Sequence, residues 1–337
     1  MPKKTYLQAI NEAVKQEMRR DSRVIVIGED VAGGQGGSEG EPGVVGSVFG
    51  QMKGVYDEFG PTRVIDTPIS ESAIVGAAAG AALTGLRPIA ELMFVDFVGV
   101  CFDQIYNQAA KFRYMFGGHA TTPMVLRTAA GAGFRGAAQH SQTLHPLFTM
   151  VPGLKVVMPS NPYDAKGLLI SAIRDDDPVI FLESKFLYGM EGEVPDESYR
   201  VAFGEAAIPR EGEDLTIVAF GAMVPRALQV AEALSKDGID CEVVDPRTTS
   251  PLDEESILES LSRTGRLVVV DESPPRCSMA ADIAALAAAK GFKSLKAPVA
   301  MVTCPHTPVP FAPALEDAYM PNVGRIEAAV RATMAYA

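Results

Sequence analysis

Short apolar segments that alternate with helical patterns constrain the fold of this chain more than any other feature. Apolar runs such as 24–27 and 179–182 carry no polar residue at every second position. This pattern is typical of strands buried on both faces, so it predicts an α/β fold with a parallel sheet between helices. In the first half we expect strands at 24–27, 63–65, 89–93, 124–127, 155–158 and 179–182, and helices at 5–20, 71–84, 98–114, 143–150 and 163–174.

A change in composition divides the chain. Residues 188–210 are rich in Glu, Pro and Gly, which is typical of a linker. Strand and helix patterns resume at residue 215, and 337 residues suit two domains better than one. We therefore predict two doubly wound α/β domains, at 1–188 and 211–337, joined by a linker at 189–210.

Composition excludes several classes of function. The net charge of −12 would repel a phosphate backbone, and no Lys/Arg cluster offsets it, so we expect no nucleic-acid partner. The longest run of small apolar residues, 75–85, is too short to cross a membrane and is better suited to packing against another subunit or the core. Four scattered cysteines indicate reduced thiols in the cytoplasm rather than a disulfide framework or a zinc site.

Nucleotide-binding and nucleophile motifs are also missing. The sequence has no Walker A motif and no G-x-G-x-x-G between a strand and a helix, so neither ATP nor NAD has an evident cradle. Residues 36–40 match G-x-S-x-G, but glycines and Pro42 surround them where a nucleophile elbow needs a strand and a helix. We interpret the whole Gly-rich stretch 33–46 as a long loop near a site or an interface.

Glu71 is the first candidate site residue. It ends the segment 66–71 (Asp-Thr-Pro-Ile-Ser-Glu), which follows a predicted strand and opens a predicted helix. One interpretation is a glutamate that complements the helix dipole beside an N-cap at Ser70. The other is a functional carboxyl group at the carboxyl edge of a sheet, where α/β folds bind ligands.

His140 is the second candidate. It lies near the end of a Gly/Ala-rich loop at 131–142 and is one of only four histidines, so it could be an acid or base. A surface histidine is an equal alternative. Its spacing from His145 does not suit a zinc site. The run 175–177 (Asp-Asp-Asp) is interpreted first as a solvated turn, and second as a site for a hard cation.

Together these segments resemble the β subunits of the thiamine-diphosphate first components of 2-oxo acid dehydrogenase complexes. The resemblance covers essentially the whole chain, and its most specific parts are 66–71 and 139–142 (Gln-His-Ser-Gln). Within that family, the segments 93–97, 100–104 and 111–118 are most similar to acetoin dehydrogenases. The other matching segments are 28–30, 63–65, 85–88, 102–105, 152–157 and 172–175.

The resemblance implies roles for five residues. Glu71 would bind the aminopyrimidine ring of thiamine diphosphate and promote formation of its carbon nucleophile, and Phe97 would pack against that ring. His140 would face the substrate and take part in proton transfer and in transfer to lipoamide. Asp175 and Asp177 would lie at a structural potassium site, although Asp177 stands where the family usually has asparagine.

The resemblance also implies a partner. The family holds Mg²⁺ and the diphosphate through a Gly-Asp-Gly…Asn motif, and this chain has no Gly-Asp-Gly. We therefore expect an α subunit that carries the motif, an α2β2 heterotetramer, and docking of a C-terminal transketolase-like domain to a lipoyl acyltransferase core.

The predicted function is an acetoin dehydrogenase β subunit that cleaves this small-molecule substrate and passes a two-carbon unit to a lipoyl group. Alternatives are a pyruvate or branched-chain 2-oxo acid dehydrogenase β subunit, a non-catalytic scaffold subunit, and a self-sufficient transketolase-type enzyme.

Overall fold

The computed structural model describes residues 1–33 and 46–336, so most of the predicted Gly-rich loop at 33–46 lies outside the described residues. The chain forms two compact units. The first unit comprises Met1–Ala130, Leu147–Glu183 and Leu187–Phe203; the second comprises Gly131–Pro146, Ser184–Phe186 and Gly204–Ala337. Within the described ranges, no helix has the length and apolar character that a membrane span requires.

The first unit is built on a largely parallel sheet. Its six core strands lie in the order β6-β7-β5-β4-β2-β3, and the pairs β2–β3, β2–β4, β4–β5 and β6–β7 are parallel. The strands of this unit are β1 (Lys3–Thr5), β2 (Val24–Glu29), β3 (Val64–Thr67), β4 (Arg87–Phe94), β5 (Val125–Ala130), β6 (Lys155–Val157), β7 (Val179–Ser184) and β8 (Glu191–Glu193). All residues of β5 are buried, as the absence of polar alternation predicts.

Helices follow the predicted strands. α1 begins with the capping box that the sequence suggests, because Thr5 accepts the Gln8 backbone N–H and the Gln8 side chain accepts the Thr5 N–H. The α-helices up to residue 174 are α1 (Tyr6–Arg20), α2 (Val55–Phe59), α3 (Glu71–Leu83), α4 (Val98–Asp103), α5 (Phe112–Met115), α6 (His145–Thr149) and α7 (Pro162–Arg174).

The prediction of one continuous helix at 98–114 is wrong. A π-helix at Gln104–Ala109 separates α4 from α5. The Ala110 N–H donates to the carbonyl of Ile105, five residues back, at 3.0 Å. The π turn is confined to six residues inside an otherwise helical segment, and the apolar pattern at 98–114 does not reveal so short an insertion.

The second unit has a five-stranded sheet in the order β14-β13-β10-β11-β9. The pairs β10–β11, β10–β13 and β13–β14 are parallel, whereas β9 is antiparallel to β11. Its elements from Gly204 onward are β9 (Ala207–Arg210), β10 (Leu215–Ala219), α8 (Met223–Ser235), β11 (Cys241–Asp245), β12 (Thr248–Ser250), α9 (Glu254–Thr264), β13 (Leu267–Asp271), α10 (Met279–Lys290), β14 (Ala300–Thr303), α11 (Pro313–Tyr319) and α12 (Val323–Met334).

The predicted linker contains regular structure. β8 pairs with β1 in the first unit, and β9 is the edge strand of the second sheet. Both strands are short and mostly exposed or half-buried. Such edge strands lack the continuous apolar run by which buried strands are recognised.

Candidate active site

Acidic side chains gather where β2 and β3 end. These strands are parallel, and their register pairs Gly28 with Asp66 and Glu29 with Thr67. Their carboxyl ends therefore meet at one edge of the sheet. After β3 the chain turns through Pro68 and enters α3 at Glu71, which brings a third carboxyl group to this edge. The carboxyl edge of a parallel sheet is where α/β proteins bind ligands.

Glu71 is the first residue of α3 and is half-buried. Ser70 stands at the N-cap, but its side chain makes no capping hydrogen bond. Among the described residues, the Glu71 carboxylate forms no hydrogen bond or ion pair. A half-buried carboxylate without a partner is suited to accept hydrogen bonds from a ligand.

The electrostatics of this edge favour a ligand that donates hydrogen bonds. Burial raises the pKa of Glu29, and the nearby charges of Asp30, Glu71 and Asp66 raise it further. Asp66 accepts the Ala32 N–H at 3.1 Å through Oδ1, while its buried Oδ2 has no hydrogen-bond partner among the described residues. An aminopyrimidine ring carries an N–H₂ group and a ring nitrogen that can be protonated, so these carboxylates fit it.

Cys101 lies behind this edge on α4, which packs against α3. Burial raises the pKa of its thiol to about 12, with a further contribution from the charge of Glu71. The thiol is therefore protonated at neutral pH and is not a nucleophile.

Phe97 supplies an aromatic surface at the same edge. It ends the short 3₁₀-helix Val95–Phe97, which directly follows β4, and β4 and β3 flank β2 in the sheet. Its half-buried ring meets Phe94 edge-on with centroids 5.6 Å apart, and Phe94 meets Phe49 in the same way at 5.7 Å. This aromatic row fixes the orientation of the Phe97 ring.

His140 belongs to the second unit, because residues 131–146 group with it. The side chain is half-buried, and Lys185 Nζ donates to the His140 carbonyl oxygen at 2.5 Å. Lys185 is itself buried. The backbone of His140 is thus held while its imidazole keeps partial access to solvent.

Asp175 and Asp177 lie just after the end of α7 and are paired with cations of the chain itself. Lys155 Nζ lies 2.7 Å from both carboxylate oxygens of Asp175. The Arg113 Nε donates to Asp177 Oδ1 at 2.5 Å, and Arg87 donates to the Asp175 carbonyl at 2.8 Å. In the ranges 1–33 and 46–336, no three His, Cys, Asp or Glu side chains form a metal-binding group. A potassium ion would therefore compete with these cations, and the potassium site stays a prediction.

Sequence reasoning missed the buried acids of the second unit. Asp271 ends β13 and Glu272 follows it, so both stand at the carboxyl end of a buried parallel strand. Glu316 lies on α11 and is fully buried. The position of Asp271 and Glu272 directly after the apolar run 267–270 was a usable signal, whereas nothing local distinguishes Glu316.

Two family models match the chain. The transketolase pyrimidine-binding domain matches residues 2–190, and the transketolase C-terminal domain matches residues 204–326. A solved structure described as a split-gene transketolase, inactive β4 tetramer, aligns with a TM-score of 0.78 at 22% identity, covering 98% of both chains. The predicted fold class is confirmed.

Curated relatives narrow the family. The β subunit of acetoin:2,6-dichlorophenolindophenol oxidoreductase of Cupriavidus necator is 63% identical over 97% of this chain and 96% of the relative. The Bacillus subtilis protein of the same name is 59% identical over 94% and 93%. The 2-oxoisovalerate dehydrogenase β subunit of Bacillus subtilis is 46% identical over 97% of each. The chain therefore belongs to the transketolase-type family of thiamine-diphosphate-dependent dehydrogenase β subunits, which includes those of acetoin and 2-oxo acid dehydrogenases.

Proposed function

We propose that this protein is the β subunit of an acetoin dehydrogenase and that Glu71 binds and activates the aminopyrimidine ring of thiamine diphosphate. The supporting observation is the half-buried Glu71 carboxylate, which has no partner among the described residues and lies at the carboxyl edge of a parallel sheet. The higher identity to the acetoin relatives, 63% and 59% against 46%, supports acetoin as the substrate.

Three residues of the chain have separate roles in the proposed reaction. When bound, thiamine diphosphate supplies a carbon nucleophile for attack on a substrate carbonyl. Glu71 accepts a hydrogen bond from the ring and stabilises its protonated form, while Phe97 packs against the ring face. His140 moves a proton at the substrate oxygen and assists transfer of the two-carbon unit to a lipoyl group.

Other groups come from partners. The sequence has no Gly-Asp-Gly, which supports an α subunit that holds Mg²⁺ and the diphosphate. We place the chain in a cytoplasmic α2β2 heterotetramer that delivers its product to a lipoyl acyltransferase core. We keep Asp175 and Asp177 as ligands of a structural potassium ion; replacing potassium by sodium would then lower the melting temperature of the complex.

The test is turnover of the chain co-expressed with its α partner, with thiamine diphosphate, Mg²⁺ and 2,6-dichlorophenolindophenol as the electron acceptor. We expect selectivity for acetoin over pyruvate and branched 2-oxo acids, and a loss of at least about 100-fold in kcat for Glu71→Ala, as for other positioned acids. Glu255→Ala is the matched control, because Glu255 also lies in the first turn of a helix but is exposed.

The outcomes separate the alternatives. Preference for pyruvate or a branched 2-oxo acid would show that acetoin is not the main substrate, but the proposed role of Glu71 would be unchanged. If Glu71→Ala and Glu255→Ala both kept nearly the kcat of the wild type, Glu71 would only complement the helix dipole. Absence of turnover with every substrate would favour a scaffold subunit.

A further inference from the structure

The loop at 131–146, which carries His140, needs external support. Arg135 and Ala137 adopt positive φ values of 63° and 59°, a conformation that L residues rarely occupy. Gly131 and Gly133 are also in the positive-φ region, at 94° and 92°. Such a backbone persists only where surrounding contacts determine it.

Two buried glutamates bind the start of the loop. Glu272 Oε1 accepts the Ala132 N–H at 2.6 Å. Glu316 Oε1 accepts the Gly133 N–H at 2.8 Å and the Arg135 N–H at 3.3 Å, and Glu316 Oε2 accepts from the Arg135 guanidinium at 2.5 Å. One fully buried carboxylate thus binds two backbone amides and a side chain of the same loop.

A buried contact between His145 and Asp271 lies where the loop enters α6. His145 Nε2 lies 3.1 Å from Asp271 Oδ1, and both side chains are fully buried. Burial alone would raise the pKa of Asp271, yet its pKa is lowered, because the interaction with His145 and hydrogen bonds from Ser273 and the Ala280 N–H outweigh burial. Asp271 is therefore a carboxylate and an acceptor for the histidine.

We propose that Asp271, Glu272 and Glu316, here called the acidic clamp, are positioning residues that hold the His140 loop in its working conformation. The proposal rests on the proposed function only in taking His140 to act on the substrate. It assigns a catalytic contribution to the C-terminal transketolase-like part of the chain, because all three acids come from β13, the residue after it, and α11. His140 lies between the two ends that the acidic clamp holds.

The first experiment uses the reconstituted α/β complex and compares Glu316→Ala, Glu316→Gln and Asp317→Asn. Asp317 is the matched control, since it is exposed and, within the described ranges, accepts only from the Arg135 side chain, at 2.8 Å. We expect faster amide hydrogen exchange at 133–141 and a kcat about 10-fold lower in Glu316→Ala, at unchanged KM for thiamine diphosphate. Glu316→Gln should recover most of the kcat, because its amide oxygen can accept the Gly133 N–H, and Asp317→Asn should behave as wild type.

A double variant tests whether the acidic clamp acts through His140. In a His140→Ala background, Glu316→Ala should cause no further loss of kcat. Additive losses, or unchanged hydrogen exchange in Glu316→Ala, would overturn the proposal. If Glu316→Ala does not fold, Asp271→Asn replaces it, with faster exchange expected at 140–145.

The two proposals fail in different ways. A wild-type kcat in His140→Ala would reject the catalytic role of His140. Hydrogen exchange would then be the measurement that tests whether the acidic clamp holds the loop. Faster loop exchange in Glu316→Ala would still support the clamp, and wild-type exchange would overturn it.

Discussion

At the scale of single residues, the candidate site combines groups that are costly for folding. Glu29 is held among like charges at the carboxyl edge of the first sheet, and burial together with Asp30, Glu71 and Asp66 raises its pKa. A carboxyl group whose pKa is raised by folding stabilises the native state fully below its unfolded pKa. That contribution is lost as the pH rises through the folded pKa. Above its folded pKa, the ionised Glu29 therefore opposes folding.

Glu29→Gln should remove this unfavourable charge. The variant should be more stable than wild type at pH 7.5. If the free energy of unfolding rises by on the order of 1 kcal/mol, the melting temperature should be higher by roughly 2 °C. The difference should shrink as the pH falls toward 5. Glu58→Gln is the control with the opposite sign, because its hydrogen bond with Arg19 lowers the pKa of Glu58. Thermal unfolding across this pH range is the measurement, and a destabilised Glu29→Gln at pH 7.5 would show that its charge has a favourable partner.

At the scale of elements, a buried ion triad joins three strands of the first sheet. Arg127 on β5 lies 3.1 Å from Glu91 on β4 and 2.6 Å from Glu183 on β7, and all three side chains are at most 3% exposed. Glu183 also accepts the Tyr188 hydroxyl at 3.0 Å. Removal of the single cation leaves two buried carboxylates without a counter-charge.

Arg127→Met should therefore lower the free energy of unfolding of the first unit by about 3–5 kcal/mol. Arg113→Met is the control: Arg113 pairs with Asp177 but is 43% exposed, so its loss should cost at most about 1 kcal/mol. Urea unfolding followed by intrinsic tyrosine fluorescence or circular dichroism measures both. If both variants lowered the free energy of unfolding equally, the attraction within the triad would only offset the cost of burying its charges.

The triad also shows what local patterns predict and what they do not. The apolar runs around Val125 and Val179 predict their strands, because burial on both faces leaves a continuous signature. The same runs do not predict that Arg127 and Glu183 meet, since that contact depends on the order of strands in the sheet. Likewise Glu71 could be proposed from its segment, whereas the contact between Glu316 and Gly133 joins residues 183 positions apart and has no local signal.

At the scale of the whole molecule, two compact units carry different parts of the proposed chemistry. Glu71 and Phe97 belong to the first unit, and the His140 loop belongs to the second although it lies at 131–146 in the sequence. The family boundaries at 2–190 and 204–326 therefore do not coincide with the contact-based units. The loop groups with the second unit because Ala132 and Gly133 bind Glu272 and Glu316, which come 140 and 183 residues later in the sequence.

The charged end of the cofactor should depend on the α subunit for binding. The chain carries a net charge of −12 and an acidic site edge formed by Glu29, Asp66 and Glu71, and it has no Gly-Asp-Gly. These charges would repel a diphosphate, whereas the aminopyrimidine ring would meet suitable hydrogen-bond acceptors. Thiamine diphosphate with Mg²⁺ should bind at least about 100-fold more tightly to the complex with the α subunit than to this chain alone, a difference of ~3 kcal/mol.

Isothermal titration calorimetry on the chain and on the complex measures this difference, and thiamine without its diphosphate is the control ligand. For the chain alone, the two ligands should bind with similar, weak affinity, because only the ring is recognised. For the complex, the diphosphate form should bind much more tightly, since we propose that the α subunit adds the metal site. Micromolar binding of thiamine diphosphate by the chain alone would instead indicate a self-sufficient transketolase-type enzyme, with a diphosphate site that the sequence motifs do not reveal.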